Sequence, residues 1–266
     1  MIQTFFKYVS LTFFMLKNSI LSAMEYRVSF VTQIVGMMIN NLSFVLIWVI
    51  FFQSFPEVNG WRIQEILLLN AISSFYFGLV AMFGRGAIHL SVMISKGELD
   101  QFLTYPKNVL WQLSTSKTEI SAIGDILFGV VLFFLSGYVS VLNFLFFLLL
   151  GLLTAIIAYS FVVITQSFFF FVEAKLEQTE DALFQILMSF SLYPQSVFTG
   201  VLKVISLTVF PVFFLGSLPV DLLKKFGWGE FLGMIAFAAF IFCLSVVIFK
   251  TGLKRYESGS SIQVRM

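Results

Sequence analysis

Between Val28 and Phe52 the chain runs for 25 residues without one charged side chain. Wound as an α-helix, that run is about 37 Å long, more than the roughly 30 Å of a bilayer's hydrocarbon core. Further apolar runs follow at Ile63–Phe83, Glu119–Tyr138, Val141–Phe170 and Phe231–Phe249, and another ends near Tyr193. Inside lipid every backbone group needs an internal partner, so runs of this kind cross as helices. Composition agrees. Only 11% of residues are charged, against about 25% in soluble domains, and Phe alone accounts for 36. The expectation is an all-α polytopic membrane protein, one transmembrane domain over residues 1–256, with a flexible tail at 257–266.

Residues 4–24 read as an amphipathic helix lying in the membrane interface. Phe6, Val9, Phe13, Leu16 and Ile20 recur at three- and four-residue spacing, with Lys7, Ser10 and Lys17 opposite. A cleaved leader fits poorly, because Lys17 and Asn18 interrupt the apolar stretch and no clean small-x-small site follows. The competing reading is one more, poor span. Glu25, Tyr26 and Arg27 hold the chain at headgroup level before the first span. Gln33 and Asn40, seven apart on that span, share a face expected to turn toward neighbouring helices or a second subunit. Gly151, Ala155 and Ala158 place small residues near one face of the fourth span, a packing feature.

The 42 residues from Ala182 to Leu223 are too long for one span and short for two. Lys203 is their only basic residue, and Tyr193-Pro194, Gly200, Pro211 and Pro219 punctuate them. They read as a span ending near Tyr193 and a re-entrant or interfacial hairpin over 194–223, placed on the outer side. That makes six spans. Twelve of the 16 Lys and Arg fall on the side of the termini and four (Arg62, Lys203, Lys224, Lys225) on the other, which puts both termini in the cytoplasm.

Several functions are disfavoured. No Walker A, Gly-x-Ser-x-Gly or His-Glu-x-x-His string occurs. His89 is the only histidine, so no multi-histidine metal site can form. Cys243 is the only cysteine, and a net charge of +2 gives nucleic acid no footprint. Glu65 and Asp125 are the acidic residues within spans. Both are read as near span ends, in solvated or snorkelling positions.

The clearest hydrophilic interval is 86–118, and within it Ser95-Lys96-Gly97-Glu98-Leu99-Asp100-Gln101-Phe102-Leu103-Thr104-Tyr105-Pro106-Lys107. Ile88, Val92, Leu99, Phe102 and Leu103 fall on one helical stripe. Gly97 is expected to break the helix into two arms, and Tyr105-Pro106 to end the second. From the residues alone this is either an ordinary cytoplasmic loop or a docking element. The string from Ile94 to Pro106 resembles the signature after the second span of ABC type 2 exporter permeases. Glu25-Tyr26-Arg27 resembles the approach to the first span in that family. Tyr193-Pro194-Gln195-Ser196-Val197-Phe198, with Pro211 and Leu218-Pro219, looks like its region between the fifth and sixth spans. Thr199-Gly200 departs from it, since relatives often carry a proline there.

The resemblance spans nearly the whole chain and implies a permease of the bacterial cytoplasmic membrane with no cofactor of its own. ATP and Mg would sit on two copies of a separate ATPase, and a second permease, identical or related, would complete the pathway among membrane lipids. Gly97, Glu98, Leu99, Asp100, Phe102, Leu103, Tyr105 and Pro106 would form the coupling helix. The alternatives are a secondary transporter or flippase working without an ATPase, and a structural subunit that transports nothing.

Overall fold

A computed structural model describes residues 2–172, 182–208 and 210–256. The described residues are helical throughout, without a strand. Four helices are long and apolar enough to cross a membrane: α2 (Arg27–Ser54), α3 (Ile63–Phe83), α9 (Val141–Ser167, extended by a 3-10 turn at Phe168–Phe170) and α14 (Trp228–Leu253). They coincide with four of the expected spans. α1 (Ile2–Met24) covers the expected interfacial helix, with Phe6, Phe13 and Phe14 exposed.

The hub is α3. Its residues are apolar around the whole circumference, which marks a helix meant for burial. α8 (Ala122–Leu135) and α9 flank it, and α14 packs on α9. Small residues let these helices approach. Gly151 rests on the ring of Phe75, and Ala155 and Ala158 are buried in the same core. At Gly124 a Cβ atom would stand 2.5 Å from the Ile34 carbonyl oxygen, so α8 meets α2 backbone to backbone.

Two expected spans differ from the reading of the sequence. α8 has 14 residues and is about 21 Å long, too short to cross a bilayer by itself. It starts deep in the protein, because the Ala122 carbonyl lies beside Gly78, three-quarters of the way along α3. The described part of the fifth run is α10 (Ala182–Ser191), which ends halfway along α3. There the Ser191 carbonyl accepts from Ser73 Oγ at 3.4 Å, and its hydroxyl lies 2.6 Å from the Tyr76 hydroxyl. Pro194 forces the chain out of helix, and these side chains take up the exposed polar atoms.

The segment that follows is not an outer hairpin along its whole length. It forms α11 (Gly200–Thr208), α12 (Val212–Leu215) and α13 (Ser217–Lys224), and from Gly216, beside Leu69 and the Ser191 carbonyl, α13 runs to Lys224 at Glu65 near the start of α3. Tyr193 packs its ring on Phe44 and Trp48 of α2. The Gln195 N–H, next to Pro194, donates to Ser217 Oγ at 3.0 Å. Pro211 precedes α12, and Pro219 is buried in the first turn of α13. The tail from 257 onward lies outside the described residues.

Candidate functional site

The polar interval folds into short helices: α4 (Arg85–Ile88), α5 (Leu90–Ser95), α6 (Asp100–Leu103) and α7 (Val109–Thr115). Gly97 separates α5 from α6 with φ +71°, a left-handed conformation that a residue with a Cβ adopts only at a cost. The reversal is closed by the Glu98 N–H donating to the Met93 carbonyl at 2.9 Å. Asn108 starts α7, its side chain accepting from the Trp111 N–H at 3.2 Å.

This subdomain is fastened to the membrane helices. Leu90, Met93, Leu99, Leu110 and Leu113 form one apolar cluster with Val163 and Phe170 at the end of α9 and Phe249 near the end of α14. The Ser91 N–H donates to Gln166 Oε1 at 3.2 Å, and the Ser114 hydroxyl lies 2.6 Å from that of Tyr159. Arg85 pairs with Glu119 at 3.2 Å. Beyond α14, Tyr256 faces Asp100. Burial and that neighbouring carboxylate push the Tyr256 phenol up to about 12. α1 closes another side: the Asn108 N–H donates to the Tyr8 hydroxyl at 3.0 Å, and Trp111 Nε1 donates to Thr12 Oγ1 at 3.0 Å.

The stripe read from the sequence therefore divides. Leu99 is 0% exposed and belongs to the chain's own core, so it cannot serve as a surface anchor. Phe102 is half-buried on the same cluster. Leu103, 46% exposed, and Tyr105, 61% exposed, stand out on the free side with Pro106, flanked by exposed Glu98 and Lys107. Asp100 is turned partly inward toward Tyr256. The acidic group Glu173, Glu177, Glu180 and Asp181, which follows the fourth expected span in the sequence, lies outside the described residues.

Elsewhere the amides and carboxyls are arranged differently from expectation. Gln33 and Asn40 are exposed on α2, and Gln33 bonds Ser29 of its own helix at 3.1 Å. The amide that turns inward is Asn41, which donates to Asp125 Oδ1 at 2.6 Å. Glu25, Tyr26 and Arg27 are exposed at the α1–α2 elbow. With Thr32, Gln33 and Glu119 they line an open groove of about 1000 Å³.

Neither intraspan carboxyl is solvated. Asp125 is 1% and Glu65 7% exposed. Glu65 caps α3 by accepting from the Arg62 N–H at 2.9 Å, and it takes a bond from the Tyr138 hydroxyl at 3.0 Å and an ion pair from Lys224 at 3.4 Å. This clasp joins three loops at the end opposite the α4–α7 subdomain. The signal in the sequence was Glu65 three residues after the N-cap Arg62, a capping position.

The profile of a family described as ABC-2 family transporter protein matches residues 37–260, most of the chain and all the elements from α3 to α14. No curated protein and no solved structure matches.

Proposed function

The chain belongs to the ABC-2 family of transporter proteins, and from that membership we propose that it is the permease subunit of an ATP-driven exporter. The observation that carries the reading is the cytoplasmic subdomain. It presents Leu103, Tyr105 and Pro106 outward while Leu99 seats it on the ends of α9 and α14. A partner pressing on that surface moves two membrane helices at once. ATP and Mg are assigned to two copies of a separate ATPase, so this chain performs no covalent chemistry. A second permease, identical or related, is assigned to the exposed α2 face of Gln33 and Asn40. Co-expression and purification tests this: an ATPase with Walker motifs should co-purify with the chain, and a stable, transport-active preparation lacking one overturns it. That preparation is what a transporter or flippase without an ATPase would give, and the deeply buried Asp125 is the observation on its side.

The same reading gives six crossings in the bacterial cytoplasmic membrane. They are α2, α3, α8 with its flanking turns, α9, a broken crossing of α10 completed by α12–α13, and α14. Both termini are then cytoplasmic. With Cys243 replaced, single cysteines at Asn59 and Lys225, both exposed at the clasp end, should react with an impermeant thiol reagent in intact cells. A cysteine at Lys107 should not react, and its labelling from outside would reverse the topology.

A further inference from the structure

Asp125 is sealed between α2 and α8, where a carboxylate is hard to keep charged. Its partner Asn41 is halfway along α2, and Gly129, one turn further along α8, meets Ala71 and Phe75 near the middle of α3. Oδ1 accepts the Asn41 amide, while Oδ2 is sealed from solvent and has no hydrogen-bond partner. An ionised carboxylate offers about four acceptor positions, and here one is used.

No cation answers the charge. On α2 the residues from Val28 to Ser54 carry none. On α3, Glu65 is at the far end, bonded to Tyr138 and Lys224, and the Tyr76 hydroxyl is engaged with Ser191. α8 holds no other charged residue. Six residues before Asp125, Glu119 is a second carboxylate, itself paired with Arg85. Among the described residues no group of three or more His, Cys, Asp or Glu side chains gathers here. A buried ion without a partner is far costlier than the neutral acid, and the ligand that fits a sealed oxygen is a proton.

We propose that Asp125 is a proton-binding site, occupied while α2 lies against α8. Its carboxylic acid accepts the Asn41 amide on one oxygen and carries the proton within the sealed contact. Because the two backbones touch at Gly124 and Ile34, a small displacement of α2 admits water to Asp125. The O–H bond then breaks, the proton passes to that water, and the carboxylate left behind is hydrated. Separation of the two helices and release of one proton become a single event. The inference stands apart from the exporter reading, since it concerns a contact within this chain and needs no partner.

Infrared spectroscopy of the purified full-length protein tests it. At neutral pH the wild type should show the C=O stretch of a protonated carboxyl, and Asp125→Asn should lose that band. The Asn side chain keeps the shape and stays neutral. A second readout is the thermal midpoint. The folded protein holds a proton that the unfolded chain gives up at about pH 4, so wild-type stability falls with rising pH until the site empties. The midpoint of wild type relative to Asp125→Asn should therefore drop as pH rises above about 4. Should Asp125→Asn fail to fold, Asn41→Leu removes the amide donor and should shift the frequency of the same band. A wild type without the band, a band unchanged in Asp125→Asn, or one unmoved in Asn41→Leu would each overturn the proposal.

Discussion

Replacing Leu103 by Asp together with Tyr105 by Ala should weaken association with the partner ATPase by at least about a hundredfold, close to 2.7 kcal/mol, while the protein stays folded. Both side chains already face solvent, so their loss removes little from the chain's own core. They stand on α6 and the turn after it, where Pro106 restricts the backbone. An exposed aliphatic beside an exposed Tyr, held on a rigid turn, is the composition of an interface anchor, and aromatic anchors commonly dominate interface energies. An Asp at position 103 adds the desolvation cost of a charge buried without a partner. Equilibrium titration of the reconstituted permease with its ATPase measures the effect. Glu57→Ala is the control, because Glu57 pairs with Arg62 at 2.7 Å at the opposite end of the molecule. Unchanged affinity in the double variant would move the dock away from this surface.

Long spans were legible because length and absence of charge are properties of one segment alone. α3 is found at Ile63–Phe83, the limits the hydropathy gave. Elements whose ends depend on neighbours were not legible. Ser191 ends α10 at mid-depth because Ser73 and Tyr76, more than a hundred residues away, receive its polar atoms. Asp125 looked peripheral when counted from Glu119, yet the first turn of α8 packs against Gly78 of α3 and Ile34 of α2, which buries it. Helical spacing put Gln33 and Asn40 on one face correctly but could not say which face met a neighbour. The inward amide is Asn41, about 100° further round the helix. The stripe of Leu99, Phe102 and Leu103 divides because α6 is a single turn: Leu99 and Phe102 meet the apolar cluster while Leu103 faces solvent.

That division gives the last expected result, at Leu99. Leu99→Ala should cost about 2–5 kcal/mol locally, the range for truncating a fully buried leucine. Set against a total stability of roughly 5–15 kcal/mol, this is enough to open a small subdomain without unfolding the membrane helices. Leu99 belongs to the cluster that Met93 and Leu110 form with Val163, Phe170 and Phe249. It is thus part of the only apolar cluster, among the described residues, that joins the exposed turn to the ends of α9 and α14. Amide exchange over residues 93–110 should rise by about one and a half to three and a half orders of magnitude, since each 1.4 kcal/mol is a factor of ten. Transport-linked ATP hydrolysis should fall with it, while affinity for the ATPase falls less than in the Leu103 and Tyr105 double variant. Leu99→Met keeps the volume and should cost under about 1.5 kcal/mol, restoring both readouts. If amide exchange rises in Leu99→Ala and hydrolysis stays coupled, force does not pass through this cluster. The contacts from α5 and α7 to α9, through Gln166 and Tyr159, would then carry it instead.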